Sequence, residues 1–300
     1  AADGSSRQPL AAQFIPASIH TNVQLARGVP RVDVEVSLSN NASDHRLRVH
    51  FPTGIVTHEA FFDGHYEVVR RPVALPDAAD TAGWVEQPVA EQPQRAFVTV
   101  LGSDTGLTIA NRGLPEVAVL AHQEYGTEIA LTLLRSVGWL NREALPVRGW
   151  DYGPAVEAPG AQCQGDFTFH YSIIPHGDDP LPAWREAWAF QTPLRVQATA
   201  VQEGPLPAVG SLVSVDNPFF VLSAAKTAED GRDLIVRGYN IGAQPERVTM
   251  RLGVPVRRAQ FARLDEAPTG NTLKASRDGG YRFEVGPGQI VTLRFSVARR

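Results

Sequence analysis

The sequence predicts an all-β protein, and three observations lead to that prediction. The 300 residues include 26 glycines and 23 prolines, which are spread along the chain and divide it into short segments. Within many segments apolar and polar residues alternate, as is typical of a strand with one buried face. These strand-like runs recur between turn signals, whereas the best helix candidate is short. A β-sandwich is therefore favoured over a helical or doubly wound fold.

The first hundred residues are predicted to form successive hairpins. Residues 32–38 alternate between apolar and polar, and residues 46–51 do the same after a turn-forming segment at 40–44. Asp63-Gly64 is a hairpin-turn dipeptide in the middle of the extended segment 56–69. Residues 72–95 are rich in proline and predict a long loop, with Trp84 as its anchor to the body of the protein.

The middle of the chain predicts further strands and a helix. Two apolar runs, 129–134 and 167–174, predict buried strands joined by a long loop punctuated by proline and glycine. Residues 181–190 are the best helix candidate, because Pro182 occupies a first-turn position and Trp184 and Trp188 are four residues apart. Shorter strands are predicted at 96–101, 106–110 and 117–120.

A second block of strands follows a connector at 202–211 and predicts a smaller sandwich. Its strand-like runs are 219–225, 233–239, 247–252, 260–263, 281–285 and 290–297. The chain is therefore divided into a large β domain, residues 1–200, and a small one, residues 201–300.

Composition excludes several classes of function. The net charge of −4 argues against a nucleic-acid partner, which usually requires a basic face. No apolar run approaches the roughly 18 residues of a membrane helix, and the N-terminus does not resemble a signal peptide. Cys163 is the single cysteine, so an intrachain disulfide is excluded and a reducing compartment fits. We therefore expect a cytoplasmic protein.

No short motif in the sequence marks a catalytic centre. The sequence has eight histidines but no HExxH pattern, and its single cysteine excludes a cysteine cluster. The common zinc-binding spacings are therefore missing. Nucleotide-binding and serine-hydrolase motifs are also missing. A glycosidase needs two facing carboxylates, and the sequence offers candidates only by residue type. These are Glu59, Asp63, Glu67, Asp151, Glu157 and Asp166.

Several longer segments, taken in order, resemble one family. They include DHRLRVHFPTG at 44–54, EAFFDGHYEVVRRP at 59–72, GLTIANRGLPEVAV at 106–119, LTLLRSVGWLNRE at 131–143, APGAQCQGDFTFHYSIIPHGDD at 158–179, VLSAAKTAEDGRDLIVRGYN at 221–240, RLDEAP at 263–268 and VGPGQIVTLRF at 285–295. In wording and order they resemble the C-terminal β region of the α-mannosidases of glycoside hydrolase family 38. The resemblance covers nearly the whole chain.

The resemblance implies that catalysis in the complete enzyme belongs to a domain other than the β region. Family 38 enzymes are retaining glycosidases whose N-terminal α/β domain holds zinc through His and Asp ligands and supplies an Asp nucleophile and an Asp acid/base. The β region that follows consists of a galactose-mutarotase-like supersandwich and a smaller sandwich. The present sequence matches only that β region. We therefore expect no cofactor here, zinc in a catalytic domain of the same parent chain, a mannoside substrate, and no activity of this chain alone; homo-oligomerisation stays open.

The resemblance also implies substrate-binding residues. An arginine in the turn after a short strand reaches toward the substrate cleft in the family, and IANRGL places that role on Arg112. A guanidinium suits this role because its five donors can bind sugar hydroxyls. Asp63 and Tyr66, within FFDGHYEVVRR, lie where family members contact the cleft or neighbouring sugars. Gln162 and Gly165 are expected to form a structural turn.

Two rival functions remain open on the sequence. A stand-alone carbohydrate-binding module would show a row of exposed aromatic side chains, for which Trp84, Trp139, Trp150 and Tyr152 are candidates. A mutarotase-like epimerase would require His170 to face a carboxylate inside a concave pocket.

Overall fold

The computed structural model describes residues 15–141, 155–201, 203–204 and 207–297. Part of the predicted loop between the two central strands, with Trp150, Asp151 and Tyr152, lies outside these residues. The all-β prediction is confirmed, with a single α-helix in the described part of the chain. The residues divide into two compact units, 1–62 with 70–193 and 63–69 with 194–300.

Two multi-stranded antiparallel sheets and a small two-stranded one build the described part of the first unit. The strands up to residue 176 are β1 (Ser18–Leu25), β2 (Val32–Asn40), β3 (Arg46–Pro52), β4 (Glu59–Asp63), β5 (Val68–Pro72), β6 (Glu91–Pro93), β7 (Phe97–Leu101), β8 (Gly106–Arg112), β9 (Glu116–His122), β10 (Gly126–Arg135), β11 (Trp139–Asn141), β12 (Val156–Glu157) and β13 (Gly165–His176). A large sheet has the order β1-β2-β13-β8-β7-β4-β5, and a second sheet has the order β3-β10-β9-β6.

The alternation in the sequence places the core between these two sheets. Val34 and Val36 of β2 are buried against residues of β9 and β10 such as Val117 and Ile129. The face of the large sheet that carries Val34 and Val36 is its core face, and the opposite face is its outer face. Because successive side chains of a strand point to opposite faces, Asp33 and Glu35 lie on the outer face.

Helix α1 (Leu181–Gln191) covers part of the outer face at β7 and β8, one residue longer than predicted. The Trp184 ring stacks on Phe97 at 5.5 Å, and Trp188 meets the same ring edge-on at 5.6 Å. The i, i+4 spacing of the two tryptophans therefore serves helix-to-sheet packing.

A directed chain of hydrogen bonds lies beneath this helix. The Trp184 Nε1–H can only donate, and it lies 3.0 Å from Thr99 Oγ1. Thr99 Oγ1 is 2.7 Å from Thr108 Oγ1, which is 3.0 Å from His176 Nε2. His176 Nδ1 lies 2.8 Å from the Gly177 carbonyl oxygen, so Nδ1 carries the proton. His176 Nε2 must then accept the hydrogen bond from Thr108 Oγ1. All the hydrogen bonds can therefore run in the same direction, from Trp184 to His176, when His176 is neutral.

The turn that enters β13 is held by Gln162, as expected of a structural residue. Gln162 Oε1 accepts from the Asp44 backbone N–H at 2.8 Å and from Ser136 Oγ at 2.8 Å, while its Nε2 donates to Asp44 Oδ1 at 3.0 Å. Cys163 has a φ of 49° and Gly165 a φ of 119°, which reverse the chain between the turn and the strand.

The second unit contains two sheets around its own core, which includes Val236, Met250 and Leu293. Its strands are β14 (Val213–Val215), β15 (Phe220–Thr227), β16 (Leu234–Asn240), β17 (Glu246–Leu252), β18 (Val256–Ala262), β19 (Pro268–Leu273), β20 (Tyr281–Val285) and β21 (Ile290–Val297). The sheet orders are β14-β17-β20 and β15-β16-β21-β18-β19.

All six runs predicted in this second block overlap strands, but several of the described strands were not predicted, among them β6, β11, β12, β14 and β19. β11 and β12 fall within the long loop predicted between the apolar runs 129–134 and 167–174. β14 is only three residues long, and β19 is an edge strand of largely exposed polar residues without apolar alternation. β6 lies within the predicted loop 72–95. The prediction that Trp84 anchors this loop was wrong, because Trp84 is 54% exposed. The buried side chains of the loop are Val73, Thr81 and Gln94, and Thr81 Oγ1 donates to Gln87 Oε1 at 2.8 Å.

We predict that Gln162→Ala destabilises the first unit by about 1–3 kcal/mol, because it removes the side-chain hydrogen bonds to exposed Asp44 and to buried Ser136. Gln164→Ala is the matched control, since Gln164 is exposed and bonds only to Ser43 Oγ in the described structure; it should change stability by less than about 0.5 kcal/mol. Urea unfolding of the two variants measures the difference. Equal stabilities would contradict a structural role for Gln162.

We also predict that the first unit loses stability as the pH falls below about 6.5, the ordinary histidine value. Burial lowers the pKa of His176, against the opposing effects of the Gly177 carbonyl and Asp179. Between the lowered folded value and the unfolded value, the unfolded state binds more protons, so acid favours unfolding. Thermal unfolding at several pH values should show a shallower loss for His176→Gln than for the unsubstituted chain. An unchanged pH dependence would contradict this account.

Candidate functional site

Arg112 is the last residue of β8, and its surroundings fix its side chain at two points. Its Nε donates to the Phe190 carbonyl oxygen of α1 at 2.7 Å, and its guanidinium carbon lies 4.2 Å from the centre of the Phe190 ring. The turn that follows is closed by buried Asn111, whose Oδ1 accepts from the Leu114 N–H at 2.9 Å, and by Gly113 with a φ of 73°. The end of the helix and a tight turn therefore position the guanidinium together.

Arg112 is one member of a row of polar residues across the outer face. In the strand register Asn22 of β1 is opposite Glu35 of β2, Glu35 is opposite His170 of β13, and His170 is opposite Arg112 of β8. We call these four residues the polar row. Directly opposite residues in a sheet share a face, so all four side chains lie on the outer face.

The polar row forms the floor of an open cleft of about 230 Å³. Its lining consists of Asn22, Gln24, Asp33, Val34, Glu35, Arg112, His170 and Phe190. The strands form its floor, and Phe190 at the end of α1 forms one side. The cleft is polar and open to solvent, so it suits a hydroxylated ligand better than an apolar one.

The charges around the cleft are unequally compensated. Arg31 bonds to Asp33 Oδ1 at 2.9 Å and to Glu186 Oε2 at 2.9 Å, and Asp33 also accepts from Ser172 Oγ at 2.8 Å. Among the described residues, Arg112 has no carboxylate partner. Its two terminal nitrogens, Nη1 and Nη2, have no hydrogen-bond partner among those residues either. These terminal donors are therefore available to a ligand.

Glu35 and His170 lie beside those donors. His170 Nδ1 is 3.7 Å from Glu35 Oε2, which is too long for a hydrogen bond, and the two side chains are 34% and 48% exposed. The structure thus brings together a histidine and a carboxylate that sequence reasoning had left apart. Alternation alone could have placed both on an outer face, but not opposite one another.

Asp63 and Tyr66, the other two predicted substrate contacts, are assigned to the second unit, whereas Arg112 belongs to the first. Asp63 ends β4 and is fully buried. Tyr66 has a φ of 67° and is 41% exposed, and its ring meets Tyr239 edge-on at 5.4 Å. The role of both residues as substrate contacts stays a prediction.

Two of the remaining candidates by residue type can be placed simply. Glu59 accepts from Arg70 Nε at 2.6 Å, as in an ordinary surface ion pair, and Asp151 lies outside the described residues. The described residues contain no group of three or more His, Cys, Asp and Glu side chains that could hold a metal. The zinc implied by the resemblance therefore finds no fitting donor set in this part of the chain.

None of the described helices has the length and apolar character to span a membrane.

Comparison with known proteins assigns the chain to a family. The family model for the glycosyl hydrolases family 38 C-terminal domain matches residues 2–146, and the model for the family 38 C-terminal beta sandwich domain matches residues 220–293. The chain belongs to the C-terminal region of glycoside hydrolase family 38. Asn22, Glu35 and Arg112 lie within the first match, whereas His170 lies between the two matches.

Related family 38 proteins are much longer than this chain. A protein of Halalkalibacterium halodurans, named as a mannosylglycerate hydrolase, is 31% identical over 93% of the chain but only 28% of its own length. The crystal structure of an alpha-mannosidase from Enterococcus faecalis V583 superposes with a TM-score of 0.77, at 32% identity, over 95% of the chain and 29% of that protein. A second crystal structure from Enterococcus faecalis, of a protein in glycosyl hydrolase family 38, superposes with a TM-score of 0.74 at 30% identity. The match covers 95% of the present chain and 30% of that protein.

Proposed function

We propose that this chain is the non-catalytic C-terminal β portion of an α-mannosidase-like glycoside hydrolase. It packs on a zinc-dependent catalytic domain of the same parent chain and completes the substrate cleft. The observation that carries the proposal is the extent of the matches: nearly the whole chain aligns with less than a third of each relative. The catalytic machinery of such an enzyme then belongs to the part of the relatives that this chain does not match.

An exposed apolar row on β1 supports docking of a further domain. Ile19, Val23 and Leu25 are 48%, 63% and 75% exposed. In the strand register they are opposite Leu38, Val34 and Val32, so they continue the core face beyond the covered part of the sheet. An apolar row at a sheet edge is a typical interaction surface, and the catalytic domain of the parent chain is the occupant that the matches favour.

The geometry of Arg112 supports a role in binding rather than in bond cleavage. A guanidinium does not release its proton at physiological pH, so it acts as a hydrogen-bond donor and positive charge and not as an acid or base. The Phe190 carbonyl and ring hold it in place and leave its terminal donors open to the cleft. In a complete enzyme Arg112 would hold hydroxyls of the substrate.

We expect the purified chain alone to leave an aryl α-mannoside intact, with or without added zinc. In the parent hydrolase, Arg112→Ala should lower kcat/KM about 10- to 100-fold, because a hydrogen bond from a charged group contributes about 1.5–3 kcal/mol. Arg135→Ala is the matched control, since Arg135 is an exposed arginine at the end of β10. Zinc-dependent cleavage by the isolated chain, or equal activity of the two variants, would overturn the proposal.

One observation favours a mutarotase-like epimerase as a second candidate. His170 and Glu35 lie 3.7 Å apart in an open cleft beside Arg112. Anomer exchange needs one group to take the proton of the anomeric hydroxyl and another to protonate the ring oxygen. Polarimetry of freshly dissolved α-D-mannose tests this function. Acceleration that is lost in His170→Ala would support it, whereas a rate equal to that in buffer would exclude it.

A further inference from the structure

We propose that Asn22, Glu35 and His170 form, together with Arg112, a subsite for a neutral sugar with adjacent hydroxyls. The inference rests on the proposed function of Arg112 in the substrate cleft, and it adds the other three members of the polar row as ligand-contacting residues. It also assigns the ligand to a chemical class, a neutral hydroxylated ring rather than a carboxylate or phosphate.

The spacing of the row suits an extended hydroxylated ligand rather than a single small group. The four residues lie on four neighbouring strands. Neighbouring strands are about 4.8 Å apart, so the row extends over roughly 14 Å. Phe190 and the Arg112 guanidinium bound the cleft at the end of the row next to α1. A ligand on this floor can therefore meet several side chains at once.

The hydrogen-bonding capacity of the row matches that of sugar hydroxyls. The Arg112 guanidinium only donates, the Glu35 carboxylate oxygens accept, and the Asn22 amide and the His170 imidazole can each offer a donor and an acceptor. Each sugar hydroxyl has one donor and two acceptor positions, so adjacent hydroxyls need both kinds of partner. A carboxylate or phosphate ligand would accept from Arg112 but would leave Glu35 facing a like charge.

The net charge of the cleft also favours a neutral ligand. Arg31 is already bound to Asp33 and Glu186, so its positive charge is compensated by two carboxylates. Glu35 then balances Arg112, and the cleft has no excess of positive charge when His170 is neutral. An anion-binding site would instead concentrate donors and cations.

Glu35 and His170 contribute little to folding, which makes them suitable for substitution. Exposed ion pairs add little to the stability of a protein, and this pair is separated by 3.7 Å and partly exposed. Loss of ligand binding in Glu35→Ala or His170→Ala should therefore reflect lost contacts rather than unfolding. Ser37→Ala is the matched control, because Ser37 lies on the same face of β2 but does not line the cleft.

The test compares KM in the parent hydrolase and binding to the 300-residue chain. We expect Glu35→Ala and His170→Ala each to raise KM for an aryl α-mannoside about 3- to 10-fold, as for loss of one solvent-accessible hydrogen bond, while Ser37→Ala leaves KM unchanged. In NMR titrations of the chain, methyl α-D-mannopyranoside should shift resonances of β2 and β13, and D-glycerate and inorganic phosphate should not compete.

The outcomes separate this inference from the proposed function. Unchanged KM in Glu35→Ala and His170→Ala, with Arg112→Ala still impaired, would overturn the subsite and leave the proposed function intact. Competition by D-glycerate or phosphate would overturn the neutral class. Activity of Arg112→Ala equal to that of Arg135→Ala would instead overturn the proposed role of Arg112 on which the subsite rests.

Discussion

The pairing of β13 with both β2 and β8 is the constraint on which the rest of the first unit depends. In the large sheet β13 is the strand that joins β1 and β2 to β8, β7 and the strands beyond. Its register puts Tyr171 opposite Val34 on the core face and His170 opposite Glu35 on the outer face. A slip of β13 by one residue would exchange its two faces, so that His170 would point into the core and Tyr171 toward solvent.

Both ends of β13 carry side chains that hold this register. At the start, buried Asn40 donates to the carbonyl oxygens of Cys163 at 2.6 Å and Gln162 at 3.3 Å, and Asn40 itself is opposite Gly165. At the other end, His176 is bonded to Thr108 and lies so close to Gly106 that a Cβ there would be 2.2 Å from the imidazole. Glycine is therefore required at position 106 for the strand end to close.

The sequence predicted where most of the strands lie but not which strands pair with one another. The alternation in 32–38 and the apolar run 167–174 predicted β2 and β13, because a half-buried strand shows its period locally. The contact of Glu35 with His170 depends on which strands pair, and that is decided by turns and core packing far away in the chain. The predicted role of Arg112 came from the resemblance of IANRGL to a known family, whereas its two contacts with Phe190 required the structure.

The distribution of satisfied and open hydrogen bonds separates scaffold from site. Gln162, Asn40 and the chain from Trp184 to His176 have their partners within the fold, so ligand binding is not needed to complete them. Arg112 differs, because the Phe190 contacts fix its orientation while its terminal donors face the cleft. An arginine held in this way loses its side-chain freedom during folding rather than during binding, which lowers the entropic cost of holding a ligand. The fold thus offers a pre-positioned donor beside two side chains that can accept hydrogen bonds.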